Sequence, residues 1–111
     1  MVKAGDYVYV GGTTAVGPAG VVLGETPYEQ TARILERVEH ELARAGTGLS
    51  DVIQTRVYVT DISRADEVGR AHAEVFAEIK PLMTMVQVAA LIDPRMLVEI
   101  EVVAMVASDV F

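Results

Sequence analysis

Cysteine is absent from this chain of 111 residues. Without it the chain can form no disulfide and carry out no thiol chemistry, which fits a reducing compartment and predicts a cytoplasmic location. No apolar run approaches the length of a membrane span, and no signal peptide is expected before the first strand. A membrane is therefore not an expected partner.

Basic residues are scarce. Lys and Arg total 9 against 16 Asp and Glu, for a formal net charge of -7. Because proteins that bind phosphates depend on clustered cations, nucleic acid is not an expected partner. No metal site is predicted either, since His40 and His72 lie far apart without ligands at suitable spacing. No glycine-rich loop leads into a helix start, so no phosphate-bearing cofactor is expected.

Apolar residues, by contrast, are abundant. They make up 51% of the chain, and the mean hydropathy is +0.35. The length fits one domain over residues 1–111, and so small a domain should need more polar cover. We therefore expect some apolar faces to be buried between subunits.

Two alternating segments near the C-terminus are the strongest strand signals. In residues 83–91 one face carries Met83, Met85 and Gln87, and an Asp-Pro turn follows. In residues 98–106 alternate aliphatic residues share a face, and Glu99 and Glu101 take the other. Two acidic side chains together on a strand are the main chemical clue. We expect Glu101 to pair with Arg56 or another cation on a neighbouring strand, leaving Glu99 available. The alternative is that the two carboxylates repel each other, which would raise the pKa of one of them.

Helix signals flank a third strand over residues 52–60. Thr26, Pro27 and Glu29 form a capping box that predicts a helix start, and Gly46 is a natural stop. A second helix is predicted from a cap at Asp61 or Ser63. The apolar stripe of this helix is predicted to comprise Ala65, Val68, His72, Val75 or Phe76, and Ile79. The inward residues of the third strand are predicted to be Ile53, Thr55, Val57 and Val59.

His72 lies on that apolar stripe and has two interpretations. A lone histidine on such a face is usually a hydrogen-bonded packing residue, and the alternative is a contact with a ligand. The double glycine at Gly11 and Gly12, where the second strand is expected to end, is similarly open. It favours a bulge or strand exit, and the alternative is close approach of a ligand to the backbone.

The predicted order of elements is β-β-α-β-α-β-β, an α+β two-layer domain with a mixed sheet and both helices on one face. The other sheet face is expected to carry apolar groups that should not meet water. Closing that face against copies of the chain would solve the problem. The groups in question are Tyr7, Tyr9, Met83, Met85 and Val103.

The segments GDYVYVGGTT and VQVAALIDPRMLVEIEVVA resemble the Rid family, the YjgF-type reactive intermediate deaminases also known as endoribonuclease L-PSP proteins. The resemblance runs nearly from end to end. It implies a chorismate-mutase-like fold and a homotrimer that binds a small molecule in clefts between its subunits. It also indicates a short N-terminus, because typical members carry a further segment that lines the cleft.

The deaminase branch of that family hydrolyses 2-imino acids to 2-keto acids and ammonia. Its pattern is Pro-x-Arg followed by Ser or Thr, and the arginine clamps the substrate carboxylate. Here the segment reads Pro81, Leu82, Met83, Thr84. Met83 takes the arginine position, and a thioether cannot hold a carboxylate. The chain therefore resembles the arginine-lacking branch.

Other parts of the family's cleft persist in the sequence. Glu99 matches the glutamate proposed to orient or activate water, and is the candidate catalytic residue. Gly12 and Thr13 match a loop that contacts substrate through its backbone. The remaining candidate binding residues by resemblance are Met83, Thr84, Met85 and His72.

Four functions remain open from the sequence. The first is a trimeric protein that binds or hydrolyses a small metabolite unlike a simple imino acid, with Glu99 as general base. The second is a deaminase acting on 2-iminobutanoate or 2-iminopropanoate, with Arg95 or Arg70 replacing the missing clamp. The third is an endoribonuclease or translation inhibitor, which the acidic balance disfavours. The fourth is a non-catalytic role in binding another protein.

Overall fold

A computed structural model describes residues 1–106 of the chain. In that part, five strands form one mixed sheet, and two helices pack on it. The elements are β1 (Val2–Ala4), β2 (Tyr7–Thr13), α1 (Pro27–Arg44), β3 (Val52–Val59), α2 (Ala65–Phe76), β4 (Leu82–Gln87) and β5 (Val98–Met105). The predicted element order is confirmed. The predicted single domain also includes residues 107–111, which lie outside the described residues.

The strands lie in the order β1-β2-β5-β3-β4. β3 and β4 are parallel, and every other pair is antiparallel. Parallel neighbours need a crossover, which α2 supplies. Both helices lie on one side of the sheet, so the two-layer prediction holds. We call that side the covered face and the opposite side the open face. The core between sheet and helices includes Val8, Val10, Val57, Val59, Val98, Ile100, Val102, Ile34, Leu35, Val38, Leu42, Val68 and Phe76.

Local sequence sets both ends of α1. The Thr26 hydroxyl accepts a hydrogen bond from the Glu29 backbone N–H at 3.1 Å, which is the first half of a capping box. The Glu29 carboxylate accepts in turn from the Thr26 hydroxyl and from the Glu25 backbone N–H, each at 3.2 Å. At the other end Gly46 adopts a φ of 79°, and the next backbone N–H bonds the Leu42 carbonyl at 3.0 Å. The left-handed residue lets the chain reverse and satisfies the last carbonyls.

The second helix begins later than predicted. Asp61 accepts a hydrogen bond from the Ser63 N–H, but it caps a short 3-10 turn, and α2 follows at Ala65. The helix ends at Phe76, so Ile79 lies beyond it. Neither helix within residues 1–106 is long and apolar enough to cross a membrane.

Three predicted strand features were wrong. β4 ends at Gln87 rather than at residue 91, because its partner β3 ends at Val59, which pairs with Gln87. β2 continues through the double glycine to Thr13. Ile53 is 42% exposed, because an irregularity in the register between Val52 and Gln54 interrupts the alternation.

The predicted side of the sheet for Met83 and Met85 was also wrong. In the parallel register Met83 pairs with Thr55 and Met85 with Val57, and both partners are buried beneath the helices. Residues paired in register point to the same side, so both methionines belong to the covered face. Met85 packs against the core.

Candidate functional site

The bulge in β2 brings the Glu99 carboxylate against the chain backbone. Val10 pairs with Val102 and Thr13 with Ile100, so two glycines oppose a single residue of β5. A methyl group at Gly12 would overlap Oε2 of Glu99 and lie 3.0 Å from its Cδ. Gly12 thus leaves room for this carboxylate, and an added methyl group would force the Glu99 side chain to move. The double glycine is a bulge, as the favoured interpretation predicted.

Thr13, the next residue, faces away from that carboxylate. Its side chain is only 9% exposed, and its hydroxyl donates a hydrogen bond to the Gly11 carbonyl at 2.9 Å. The hydroxyl thus fixes the bulge, which in turn fixes the backbone beside Glu99.

The two glutamates of β5 have different surroundings. Glu101 lies 3.7 Å from the Arg56 guanidinium, which confirms the predicted pair, and it also accepts a hydrogen bond from the Tyr58 hydroxyl. That hydrogen bond is the main reason why the pKa of Tyr58 is raised, with burial next. Within residues 1–106 the Glu99 side chain has no hydrogen bond or ion pair. It is therefore the carboxylate free to act on another molecule.

Met83 lies in a groove between α2 and β4. The groove has a volume of about 310 Å³, and Met83 is 37% exposed at its surface. Apolar and small residues form most of the walls, and Lys80 is the charged residue among them. The lining residues are Gly69, His72, Ala73, Phe76, Ala77, Lys80, Pro81 and Met83.

His72 forms part of the floor of this groove. Its Nε2 lies 2.8 Å from the Thr55 hydroxyl, and its ring centroid is 4.7 Å from that of Phe76. Only 8% of the residue is exposed, and burial lowers its pKa, which favours the neutral imidazole. The packing interpretation therefore describes His72 best, although its ring still borders the groove.

The candidate residues divide between the two sides of the sheet. Glu99, Gly12 and Thr84 lie toward the open face, where Thr84 is exposed and pairs with Arg56. Thr13, His72, Met83 and Met85 lie on the covered side. A single chain therefore does not bring Glu99 and Met83 into one site.

The two arginines considered as a relocated clamp are engaged elsewhere. The Arg70 guanidinium carbon lies 4.4 Å from the centre of the Tyr28 ring. Arg95 pairs with Asp93 at 2.7 Å, and this contact holds the pKa of Asp93 down at about 2. Neither arginine lines the groove at Met83. The lysine there was missed from the sequence, although its position three residues before Met83 could have suggested it.

A second hollow, of about 580 Å³, lies between the bulge and α1. It is lined by Gly11, Gly12 and Thr13 on one side and by His40 and neighbouring charged residues of α1 on the other. His40 was not predicted to have a role, because it lies among the charged residues on the solvated face of α1. In the part of the chain that the structure describes, no three His, Asp or Glu side chains are placed to hold a metal ion.

Residues 1–106 match the protein family described as Endoribonuclease L-PSP. Among curated proteins, an uncharacterised one from Streptomyces coelicolor is 42% identical over 104 residues, which are 93% of this chain and 77% of that protein. A RutC family protein from Pyrococcus abyssi is 31% identical over 105 residues, covering 93% of this chain and 81% of the relative.

Solved structures show the same fold. A Mycobacterium tuberculosis member of the YjgF/YER057c/UK114 family is 47% identical and superposes with a TM-score of 0.86, covering 94% of this chain and 82% of its own. A putative endoribonuclease from Thermotoga maritima is 27% identical with a TM-score of 0.90, covering 96% and 84%.

Proposed function

Since this chain belongs to the endoribonuclease L-PSP family, which includes the YjgF and Rid proteins, we propose that it forms a homotrimer whose inter-subunit clefts bind a small metabolite. Glu99 would act as the general base that activates water to hydrolyse that metabolite. The predicted chorismate-mutase-like α+β fold is confirmed by the structural likeness. The trimer and the hydrolysis are the proposed part.

The open face supports the assembly. Tyr7, Tyr9 and Ile53 are each at least 40% exposed there, beside a hollow of about 460 Å³ that extends to Arg56 and Val103. Clustered apolar groups of this kind favour a partner surface over water. A copy of the same chain is the simplest partner, because closed symmetry lets every subunit bury the same face.

The division of the candidate site is the observation that carries the proposal. Glu99 lies on the open face, and the Met83 groove lies on the covered side at the edge of the sheet. A cleft that uses both must therefore take Glu99 from one copy and the Met83 groove from its neighbour. β4 is an edge strand, so the edge of the sheet next to the Met83 groove is available for such a contact.

In such a cleft Glu99 would act as general base. Its carboxylate would take a proton from a water molecule while the water oxygen attacks an electrophilic carbon of the ligand. The proton would then pass to the leaving group as its bond to carbon breaks. The missing side chain at Gly12 leaves the backbone beside the carboxylate accessible, where an N–H could polarise the ligand.

Because the thioether of Met83 cannot hold a carboxylate, we expect the ligand not to be a simple 2-imino acid. The wild type should hydrolyse 2-iminobutanoate and 2-iminopropanoate no faster than buffer. Losing a bidentate arginine contact costs about 2 to 5 kcal/mol, or roughly one and a half to three and a half orders of magnitude in rate. Met83→Arg should restore part of that activity.

Two matched variants connect this gain to Glu99. Gly12→Ala in the Met83→Arg background should reduce the gained activity, because the methyl group displaces the Glu99 carboxylate. Gly11→Ala should not, because an added methyl there meets no atom within 4 Å. Robust wild-type imine hydrolysis, lost in Arg95→Ala or Arg70→Ala but not in Met83 variants, would instead establish a relocated clamp.

Sedimentation equilibrium tests the assembly separately. We expect a trimer at micromolar concentration, and Tyr9→Glu should shift it toward monomer because the charge enters the open face. Glu36→Gln, an exposed change on α1, is the matched control and should leave the trimer intact. A wild-type monomer at micromolar concentration would refute the proposed assembly.

A further inference from the structure

The phenol of Tyr58 has two carboxylates within reach on the open face. In the register between β3 and β5, Tyr58 lies directly opposite Glu99, and Glu101 is its diagonal neighbour. Side chains directly opposite each other on antiparallel strands have Cβ atoms about 5 Å apart, and diagonal neighbours are farther away. The hydroxyl nevertheless donates to Glu101. Proximity in the sheet alone would favour Glu99 as the acceptor.

Arg56 accounts for this choice of acceptor. It lies directly opposite Glu101, and its Nη1 is 3.7 Å from Oε1 of Glu101, the same oxygen that accepts the Tyr58 hydrogen bond. The cation draws the Glu101 carboxylate toward β3, where one oxygen also reaches the phenol. An ionised carboxylate accepts several hydrogen bonds, so both contacts form at once.

The Glu99 side chain leans the other way, toward β2. Its Cδ and Cγ lie 3.0 and 3.4 Å from the position that a Cβ at Gly12 would take. Because β2 and β3 are the two neighbours of β5, this direction carries the carboxylate away from Tyr58. Glu99 thereby stays without a hydrogen bond or ion pair within residues 1–106.

From these contacts we propose that Glu101 is a positioning residue, which holds the Tyr58 hydroxyl away from Glu99 and so keeps Glu99 free to act as the base. The second glutamate of β5 then has a role of its own, although it does not touch the ligand. The inference rests on the proposed function in one respect only, that Glu99 is the base.

The Tyr58 hydroxyl must have an acceptor. The hydrogen bond to Glu101 raises the pKa of Tyr58, and burial raises it further, so the phenol keeps its proton at neutral pH. A half-buried hydroxyl that lost its acceptor would turn to the next one in reach, which is Glu99. A hydrogen bond from the phenol would stabilise the charged carboxylate and make Glu99 a weaker base toward water.

Carboxyl labelling tests this proposal, because it reports on Glu99 without a known substrate. Wild type and variants would react with a water-soluble carbodiimide and glycinamide. Peptide mass spectrometry would give the labelling rate of Glu99 relative to that of Glu39, which is exposed on α1. In Glu101→Leu the released hydroxyl should bond Glu99 and slow its labelling roughly three- to tenfold. Adding Tyr58→Phe should restore the wild-type rate, because no hydroxyl remains.

Two matched variants complete the test. Glu101→Gln keeps an oxygen that accepts the Tyr58 hydrogen bond, and Tyr58→Phe alone removes a hydroxyl that is not directed at Glu99, so both should label Glu99 at the wild-type rate. An unchanged rate in Glu101→Leu would overturn the proposal. A loss that Tyr58→Phe does not repair would also overturn it, because Arg56 or a local change in structure would then be the cause. Faster labelling in Tyr58→Phe alone would overturn it too, and that measurement does not require Glu101→Leu to fold.

Failure of the proposed function would be seen in other measurements. Sedimentation equilibrium tests the trimer, and Glu99→Gln in the Met83→Arg background tests the base. Hydrolysis that survives Glu99→Gln, together with labelling rates as expected here, would remove the base and keep the role of Glu101 in holding Tyr58. Hydrolysis lost in Glu99→Gln, together with equal labelling in all variants, would keep the base and remove the role of Glu101.

Discussion

Neighbouring residues of β5 face two different environments. Val98, Ile100, Val102 and Ala104 point to the covered face and are at most 1% exposed. Glu99, Glu101 and Val103 alternate with them on the open face and are only partly buried. One strand therefore supplies both the centre of the core and the acidic part of the candidate site.

The covered face of β5 therefore contributes mainly to stability, and its open face carries the candidate functional carboxylate. The covered face tolerates only side chains that fit between sheet and helices, because a packed interior has few voids. The open face has no such constraint within one chain. It can keep Glu99 without a protein partner at a small cost, which a buried position could not allow.

The largest expected effect comes from placing a charge on the covered face. Val57 is 1% exposed, so Val57→Asp would bury a carboxylate without a partner. We expect a loss of more than about 5 kcal/mol, enough to unfold a domain of ordinary stability. Circular dichroism would show the loss of cooperative melting. Thr84→Asp, on the open face of the next strand, should still fold, and an unchanged Tm in Val57→Asp would mean that the faces are reversed.

A smaller loss should follow from removing a buried polar contact of the covered layer. The Gln30 amide donates to the carbonyls of Gly24 and Arg95 at 3.1 and 2.9 Å and accepts from the Leu97 N–H at 2.8 Å. Gln30→Ala would leave these groups unpaired, which should cost about 2 to 4 kcal/mol in urea unfolding. Gln87→Ala, which removes one exposed contact to a backbone N–H, is the control. Equal effects of the two would contradict the expected difference.

Tyr58, next to Val57 but on the open face, should matter less. Tyr58→Phe removes the hydrogen bond to Glu101 and leaves the ion pair between Arg56 and Glu101 in place. We expect a change within about 1 kcal/mol in urea unfolding, because these groups remain accessible to water. A loss above about 2 kcal/mol would show that the open face contributes to stability as the covered face does.

The smallest expected effect is a pH dependence from His72. Burial lowers its folded-state pKa below the ordinary value of 6.5, so the unfolded chain binds a proton more readily. The stability contributed by neutral His72 is therefore complete above pH 6.5 and is lost as the pH falls through the folded-state pKa. Tm measured between pH 8 and pH 5 should fall more steeply in wild type than in His72→Gln. Parallel curves would exclude His72 as the cause.

Most of the fold could be predicted because its signals are local. The capping box at Thr26 and the stop at Gly46 act within one helical turn, and both ends of α1 match the prediction. The alternation in β5 correctly placed Glu99 and Glu101 on one side, and Glu101 does pair with Arg56. These features depend on neighbouring residues or on a strongly patterned strand.

The errors lie where distant parts of the chain meet. The alternation of β4 grouped Met83 with Met85 but could not show which face the helices cover, since that depends on the parallel register with β3. The exposure of Ile53 results from an irregular pairing, and the end of β4 results from the length of its partner. The groove at Met83 exists only because α2 packs beside β4.

The sequence by itself determined the order of elements and the limits of α1, because these depend on residues that are adjacent in the chain. Only the tertiary structure decided that Glu99 and Met83 lie on opposite sides of one sheet, and that Lys80 borders the groove at Met83. The physical reason is that alternation shows which residues share a face of a strand, but not which of the two faces the helices cover. The register between strands and the packing of the helices decide which face is covered.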